Sequence, residues 1–550
     1  MNELIGESMK PSQSEFDVVV VGAGFSGMYL LHKLRQAGLS ARVLEAGKDV
    51  GGTWYWNRYP GARCDVPSIE YSFSFSPELQ QDWQWTEVMA AQPEILDYAN
   101  HIAERFDLRS DIEFSTRVTS AHFRDDEQRW HVTTDSGKEY AARFCVMATG
   151  CLSVPNTPQI TGADNFAGDV FHTGNWPAEG VDFSARRVGI IGTGSSAIQA
   201  IPVIAEQAEH LTVFQRTPNY TMPAHNRSLS DEFRKQAIAN YDEIRQQQRE
   251  SQVGIVGYGF GFGGADNVEP TEEILQTTAS ERAALVEEEG FVAIRRFADV
   301  ALDPEANELA CDMYRQQISR MIDDPETAEA LMPRDYPMGC KRPVIDTNYY
   351  ETYNRDNVSL VDLRKGGIDT ITANGVQTEQ GHYEFDTLVY ATGFDAMTGA
   401  LQKIDIRGRS GERLVDHWEE GPRTYLGLQV NGFPNLFTVT GPGSPSVLSN
   451  MLVSIEQHVD WITECIEHMR DHQLQLIEPT LAAEEEWVAH VNDVAEGTMF
   501  TAPSCNSWYL GANIPGKPRI FMPYVGGVGE YRKKCDEVVA NDYQGFVLTA

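Results

Sequence analysis

Asp17-Val-Val-Val-Val21 runs without a break into Gly22-Ala-Gly24-Phe-Ser-Gly27, and this junction decides the fold. An unbroken β-branched run suits a strand buried on both faces, as in a parallel sheet. Glycines at this spacing serve a tight turn, a close approach of backbone to a phosphate, and contact between strand and helix. A helical spacing of apolar residues follows to about Ala37 (Met28, Leu30, Leu31, Leu34), and Ala41-Arg-Val-Leu-Glu45 supplies a second strand. The same order recurs at Arg187-Val-Gly-Ile-Ile191, Gly192-Thr-Gly194-Ser-Ser-Ala197, an apolar helix over 198–208, and Leu211-Thr-Val-Phe-Gln-Arg216. One glycine motif alone is weak evidence. Two of them, each set between strand and helix, predict an α/β chain with two Rossmann-like, doubly wound dinucleotide-binding domains.

The ends of the two second strands differ. Glu45 stands 23 residues after Gly22, where a carboxylate accepts hydrogen bonds from ribose hydroxyls. Arg216 stands 24 residues after Gly192, and its forked, permanently charged guanidinium suits the 2′-phosphate of NADP. The first unit is therefore expected to hold FAD or NAD and the second NADPH, which together describe a flavoprotein reduced by a nicotinamide.

Outward from these units the pattern changes. Charged, helix-like stretches at Ser230–Glu250 and Thr271–Gly290, joined by the glycine-rich Gly257-Tyr-Gly-Phe-Gly-Phe-Gly-Gly264, read as a helical insertion with a flexible connector. Two strands run into the same turn, at Ala142-Arg-Phe-Cys-Val-Met-Ala-Thr-Gly150 and at Tyr383-Glu-Phe-Asp-Thr-Leu-Val-Tyr390 with Ala391-Thr-Gly393, and these turns are expected where the chain crosses between nucleotide domains. The expected organisation is a FAD-binding domain from 1–150 and 391–550, an NADP-binding domain from 151–220 and 336–390, and a helical insertion at 221–335.

Composition narrows the function classes. The 550 residues carry 80 acidic and 44 basic side chains, a net charge of −36, which disfavours nucleic acid as a partner. No segment reaches the roughly 18 consecutive apolar residues of a membrane span. The first 15 residues lack the basic and apolar regions of a secretory signal, so a cytoplasmic protein is expected. The eight cysteines (64, 145, 151, 311, 340, 465, 505, 535) form no CxxC pair and no zinc-like spacing with histidine. They are expected to be free thiols, with no metal centre.

Phe166-Ala-Gly168-Asp-Val-Phe-His172-Thr-Gly-Asn-Trp176-Pro177 matches FxGxxxHxxxWP, and on this motif the chain resembles the type I Baeyer–Villiger monooxygenases. Gly51-Gly-Thr-Trp-Tyr-Trp-Asn-Arg-Tyr-Pro-Gly-Ala-Arg-Cys-Asp65 is similar to that family's flavin-side segment. Cys340-Lys-Arg-Pro343 and Ser507-Trp-Tyr-Leu-Gly-Ala-Asn-Ile-Pro-Gly516 resemble its arginine and C-terminal loop segments. Gly441-Pro-Gly-Ser-Pro-Ser-Val-Leu-Ser-Asn450 looks like the phenylacetone and steroid branch more than the cyclohexanone branch, with Val447 a departure where the phenylacetone enzyme has alanine. The likeness extends from about 15 to 545.

The resemblance implies oxidation of ketones to esters or lactones by NADPH and molecular oxygen through a flavin C4a-peroxide, with sulfoxidation as a side activity. It assigns stabilisation of that anion to Arg342, and to Asp65 the role of orienting the guanidinium. FAD binding falls to Gly22, Gly24, Gly27, Glu45, Thr53, Trp54, Tyr55, Trp56, Asp65, Tyr71, Val118 and Met451. NADP binding falls to Gly192, Thr193, Gly194, Ser195, Ser196, Ala197, Ile198, Gln199, Arg216, Thr217, Lys341 and Trp508, with the Trp508 loop as a lid. Of the motif residues Phe166, Gly168, His172, Trp176 and Pro177, the histidine is expected to have a structural or domain-coupling role rather than act as a base. The partners implied are a small ketone and oxygen, with no obligate protein partner. A flavin N- or S-monooxygenase is the nearest alternative; a disulfide reductase needs a second cysteine beside Cys64; a non-catalytic FAD/NADP sensor leaves Asp65, Arg342 and Trp508 without a purpose.

Overall fold

A computed structural model describes residues 14–257 and 270–550. Strand β1 (Ser14–Val21) leads through helix α1 (Phe25–Gln36) into β2 (Ala41–Leu44), which lies parallel to it with Val18 opposite Ala41 and Val21 opposite Leu44. Val18, Val19 and Val20 are fully buried, which accounts for an apolar run with no polar alternation. Burying each such side chain contributes roughly 1.5–3 kcal/mol. The sheet continues from β2 to Ile112–Glu113, and from the other side of β1 through Glu139–Met147, Arg129–Thr134 and Val118–Arg124 to Asp405–Arg407. Leu436–Thr438 also pairs with Glu139–Met147. The strands of the 118–147 meander are antiparallel to one another; the remaining pairings are parallel.

The second sheet is built from β3 (Arg187–Ile191), helix α2 (Ser195–Gln207) and β4 (His210–Gln215), in the order Val358–Asp362, β4, β3, Thr387–Tyr390, Asp169–His172, all parallel. The chain thus leaves the first sheet after Met147, enters the second at Asp169, leaves it after Tyr390 and rejoins the first at Asp405.

Register sets the two glycine turns beside the two Ala-Thr-Gly turns. The Gly22 amide donates to Leu44 O (2.8 Å) and the Ala148 amide to Val21 O (3.0 Å). In the second sheet the Gly192 amide donates to Phe214 O (3.0 Å) and the Ala391 amide to Ile191 O (2.9 Å). Gly22 and Gly192 have φ of +106° and +114°, and a Cβ on either would lie 2.6 Å from Ala148 O or 2.4 Å from Ala391 O. Only glycine meets both demands.

The expected helical stretches form Asp231–Ala239, Tyr241–Glu250 and Ala279–Glu289, followed by Pro304–Met321 and Pro325–Leu331. A parallel pair, Thr221–Pro223 with Val344–Asp346, closes the base of this region. Arg245 fastens it to the first unit, its Nη2 donating to Ile69 O (3.0 Å) and Ser72 Oγ (2.7 Å), so the buried charge is fully hydrogen-bonded. Of the glycine-rich connector, all beyond Gly257 lies outside the described residues.

The expectation of eight free thiols needs correction. Cys340 and Cys505 form a disulfide across 165 residues of sequence, with Cα atoms 6.0 Å apart, and the other six cysteines are buried free thiols. Sequence spacing could not pair them, because only the tertiary fold brings residues so distant within reach. Among the described residues no helix is long and apolar enough to cross a membrane, and no group of three or more His, Cys, Asp or Glu side chains could hold a metal.

Candidate active site

A cavity of about 1670 Å³ runs along the carboxyl ends of the strands in both sheets, walled by both glycine turns and both Ala-Thr-Gly turns. Crevices at this end of parallel strands are where open α/β sheets bind nucleotides. Gly24 and Gly194 line it as the residues preceding α1 and α2, so the N-terminal ends of both helices border the space, where helix ends favour an anion. Nothing stands within 4 Å of where a Cβ on Gly194 would be, and a Cβ on Gly24 would only touch Gly52 Cα at 3.4 Å. Side chains at these positions would project into a cradle that suits a pyrophosphate, so the two turns fit two dinucleotides.

The strand ends give the two halves opposite charge. Glu45 is buried, and its carboxylate accepts from the amides of Ala23 (2.7 Å) and Gly47 (2.6 Å). Burial raises its pKa, against the lowering effect of those two amides and of Arg117. Glu45 also lines the cavity, and each of its carboxylate oxygens keeps capacity to accept from a ribose hydroxyl. In the other half Arg216, Thr217 and Lys341 line the wall. The Lys341 ammonium sits 4.1 Å from the centre of the Tyr336 ring, and burial, followed by the neighbouring Arg216 charge, lowers its pKa to about 8. Two cations that share one stretch of wall and feel each other's charge suit a phosphate.

Between the halves stands an ion pair. Arg342 Nη2 donates to Asp65 Oδ1 (3.0 Å), its Nε donates to Asp65 Oδ2, and its Nη1 donates to Val447 O (2.7 Å). The guanidinium is thereby fixed by a bidentate carboxylate on one edge and a carbonyl on another. The two side chains keep 26% and 31% exposure as part of the cavity wall. Burial is the largest single influence and disfavours the arginine's charge, but Asp65, Tyr509 and Cys64 together outweigh it and raise the Arg342 pKa. The cavity wall also carries the apolar side chains Val66, Val447, Met451 and Ile455, beside polar ones such as Asn57, Tyr59 and Ser449.

On the flavin side of the sequence assignment, Gly22, Gly24, Glu45, Thr53, Trp54, Trp56, Asp65, Tyr71, Val118 and Met451 reach the cavity, and Gly27 and Tyr55 do not. A Cβ on Gly27 would lie 1.9 Å from Gly22 O, so that glycine serves the packing of helix on turn. Tyr55 turns away, its hydroxyl accepting from the Lys48 amide (3.1 Å) and its ring lying under Arg58. Trp54 Nε1 donates to the Tyr71 hydroxyl (3.1 Å). On the nicotinamide side, Gly192 through Ser196, Gln199, Arg216, Thr217, Lys341 and the half-buried Trp508 reach the cavity. Ala197 and Ile198 are fully buried in the core behind α2.

The structure adds wall residues that motif reading passed over. Tyr59 donates from its hydroxyl to Gln199 Oε1 (2.8 Å), and Gln199 Nε2 donates to Arg63 O (3.1 Å), joining the flavin-side loop to α2. Asn513 donates to Phe394 O (2.8 Å) while its own Oδ1 is buried and unpartnered. The Ser507–Gly516 motif contained Asn513, but nothing in its spacing pointed to that carbonyl.

The Phe166–Pro177 motif lies beside the large cavity, and His172, Trp176 and Pro177 line a smaller cleft of about 410 Å³. His172 Nδ1 accepts from the Gly174 amide (2.9 Å), which leaves its proton on Nε2, facing Thr392 Oγ1 (3.3 Å) and Asn156 O (3.4 Å). Burial lowers its pKa and favours this neutral form. The imidazole therefore spans both connections between the sheets, while the Trp176 amide donates to Trp56 O (3.3 Å) in the flavin-side segment.

Residues 19–254 match the family of pyridine nucleotide-disulphide oxidoreductases. The disulfide of this chain lies outside the matched residues. A Baeyer–Villiger monooxygenase of Pseudooceanicola batsensis is 41% identical over 549 residues, 98% of each chain. A phenazine N-monooxygenase of Lysobacter antibioticus is 41% identical over 98% of this chain and 97% of its own. Among solved structures, an oxidized steroid monooxygenase bound to NADP is 49% identical with a TM-score of 0.89, covering 98% of this chain and 100% of the other. Likeness sustained end to end at this identity settles the family: the chain belongs to the Baeyer–Villiger monooxygenases.

Proposed function

We propose that the protein converts a ketone to an ester or lactone, drawing one oxygen atom from molecular oxygen and electrons from NADPH. The observation that carries this is the Arg342–Asp65 pair set in the wall between two dinucleotide cradles. FAD would be held by Gly22, Gly24, Glu45, Thr53, Trp54, Trp56, Tyr71, Val118 and Met451, in a domain formed by residues up to 150 and from 391 onward. NADP would be held by Gly192 through Ser196, Gln199, Arg216, Thr217, Lys341 and Trp508, in a domain formed by 151–220 and 336–390. Bound FAD, reduced by NADPH, supplies the activation of oxygen.

The chain's own residues then have three tasks. Arg342 keeps a permanent positive charge in the cavity wall, where it would stabilise negative charge on oxygen without giving up a proton to it. Asp65 offsets the cost of burying that charge and fixes the direction of its free N–H groups. Filling of the cavity by the two nucleotides and the ketone would displace water from beside the pair, which would strengthen both effects. A fixed cation favours an oxygen that attacks as an anion, which suits a carbonyl carbon rather than an amine or thioether. His172 and the Trp176 amide couple the two nucleotide-binding halves without taking part in proton transfer.

Oxygenation of nitrogen or sulfur is the second reading, favoured by the likeness to a phenazine N-monooxygenase. The two are separated by incubating purified holoprotein with NADPH, oxygen and a panel of cyclohexanone, phenylacetone, a long-chain ketone, a steroid ketone, an aromatic N-heterocycle and a thioether. Products one oxygen heavier than a ketone, hydrolysable to an acid and an alcohol, support the ester reading. N-oxide or sulfoxide as the sole product supports the other.

A further inference from the structure

We propose that the Cys340–Cys505 disulfide is a positioning device for oxygenation, holding the Arg342 segment and the Trp508 segment in one register. Cys340 directly precedes Lys341 and Arg342, and Cys505 lies three residues before Trp508. Lys341, Arg342, Asn506 and Trp508 all line the cavity, so the bond joins two parts of its wall. Both half-cystines are fully buried.

Neither part is held by regular structure. No helix or strand lies between Leu331 and Val344, and Cys505 falls between two short 3-10 turns, Met499–Thr501 and Trp508–Leu510. Arg342 therefore takes its backbone position from irregular chain, although its side chain must meet Asp65 and Val447 O together. The C-terminal segment has separate anchors further along. Lys517 pairs with Asp395, Asn513 Nδ2 donates to Phe394 O (2.8 Å), and the Met522 amide donates to Tyr509 O (2.9 Å). These keep 509–522 docked when the disulfide is open, while the 502–508 stretch and the 337–342 stretch lose their common tie. Opening the bond should thus loosen the wall between Arg342 and Trp508, while the Met338–Asn307 hydrogen bonds and the Arg519 contacts to Ala502 and Asn506 keep both stretches folded.

The chemistry is reversible. A dithiol reductant gives two electrons and two protons to the S–S bond, becomes a cyclic disulfide and leaves Cys340 and Cys505 as thiols. Hydrogen peroxide closes the bond again by accepting those two electrons and two protons and leaving as two waters.

The inference rests on the proposed ketone oxygenation, and its test separates the two. Holoprotein purified in air without reductant is alkylated under denaturing conditions before and after treatment with a dithiol, and thiols are counted by mass. Ester and hydrogen peroxide per NADPH are measured for the oxidised, reduced and peroxide-reoxidised protein, and for Cys340→Ser/Cys505→Ser. Six thiols should be found before reduction and eight after. Reduction should leave FAD bound and still reducible at saturating NADPH, and lower the ester-to-peroxide ratio about tenfold, the scale expected when reacting groups shift by a fraction of an ångström. Reoxidation should restore the ratio, and the double variant should keep the low ratio whether or not reductant is present. Should the double variant fail to fold, the reduced and reoxidised natural protein carries the test. Eight thiols before reduction, or one ratio across all forms with only the melting temperature changed, overturns the proposal. If no form makes ester from any ketone, the ketone reading fails instead, and peroxide per NADPH still reports whether opening the bond disturbs the site.

Discussion

The two glycine turns are near copies in backbone and opposites in charge. Gly22 and Gly192 share a positive φ and the same close approach to an alanine carbonyl of an Ala-Thr-Gly turn. Beyond that, one strand ends in Glu45, tied by the amides of Ala23 and Gly47, and the other in Arg216, reinforced by Lys341 from a distant segment. The fold decides where a phosphate would sit in each half, and the residue at the end of the second strand decides which nucleotide suits it.

Alanine at the two turn glycines should give the largest effects and tell the halves apart. Gly22→Ala forces a strained turn against Ala148 O, and we expect about 2–4 kcal/mol of lost stability together with loss of bound FAD. Gly192→Ala should retain the yellow flavin yet fail to reduce it with NADPH. Flavin absorbance and anaerobic reduction measure both, and loss of FAD in the Gly192 variant would contradict the division.

Charge removal comes next in size. Arg216→Ala should raise the KM for NADPH about a hundredfold, the scale of a lost charge-assisted contact, while leaving the KM for NADH within about threefold. An equal rise for both nucleotides would remove the 2′-phosphate from the account. Glu45→Gln should weaken FAD binding about tenfold and leave the KM for NADPH unchanged, because the amide presents an N–H where the Gly47 N–H now donates. Calorimetric titration of apoprotein with FAD measures it.

The smallest effect is a pH dependence. Lys341, with its pKa lowered to about 8, is charged below that value and neutral above it, and a 2′-phosphate favours the charged form. NADPH affinity should hold constant below about pH 8 and fall about threefold per pH unit above it, with binding taking up a proton in that range. Lys341→Ala should flatten the profile; an undiminished slope in that variant assigns the titration elsewhere.

Much of this was legible in the sequence because local chemistry dictates it. A buried parallel strand needs a continuous apolar run, and the turn after it needs glycine, so both sheets could be placed from β1 and β3 alone. Arg342 and Asp65 were legible through motif resemblance only, since nothing local joins residues 277 positions apart. The disulfide was not legible, for the same physical reason: its partners meet through tertiary packing. Tyr55, Ala197 and Ile198 lay within the right segments, but neighbours on a helix face different ways, and one position decides between cavity wall and core.

The most direct test follows the oxygen atom. Natural protein and Arg342→Ala are supplied with NADPH, a ketone they bind and isotopically heavy molecular oxygen, and the products are weighed by mass spectrometry. We predict ester carrying one heavy oxygen atom from the natural protein, and from Arg342→Ala no ester although NADPH still reduces the flavin. Heavy ester formed by Arg342→Ala at the natural rate would contradict the role assigned to the Arg342–Asp65 pair.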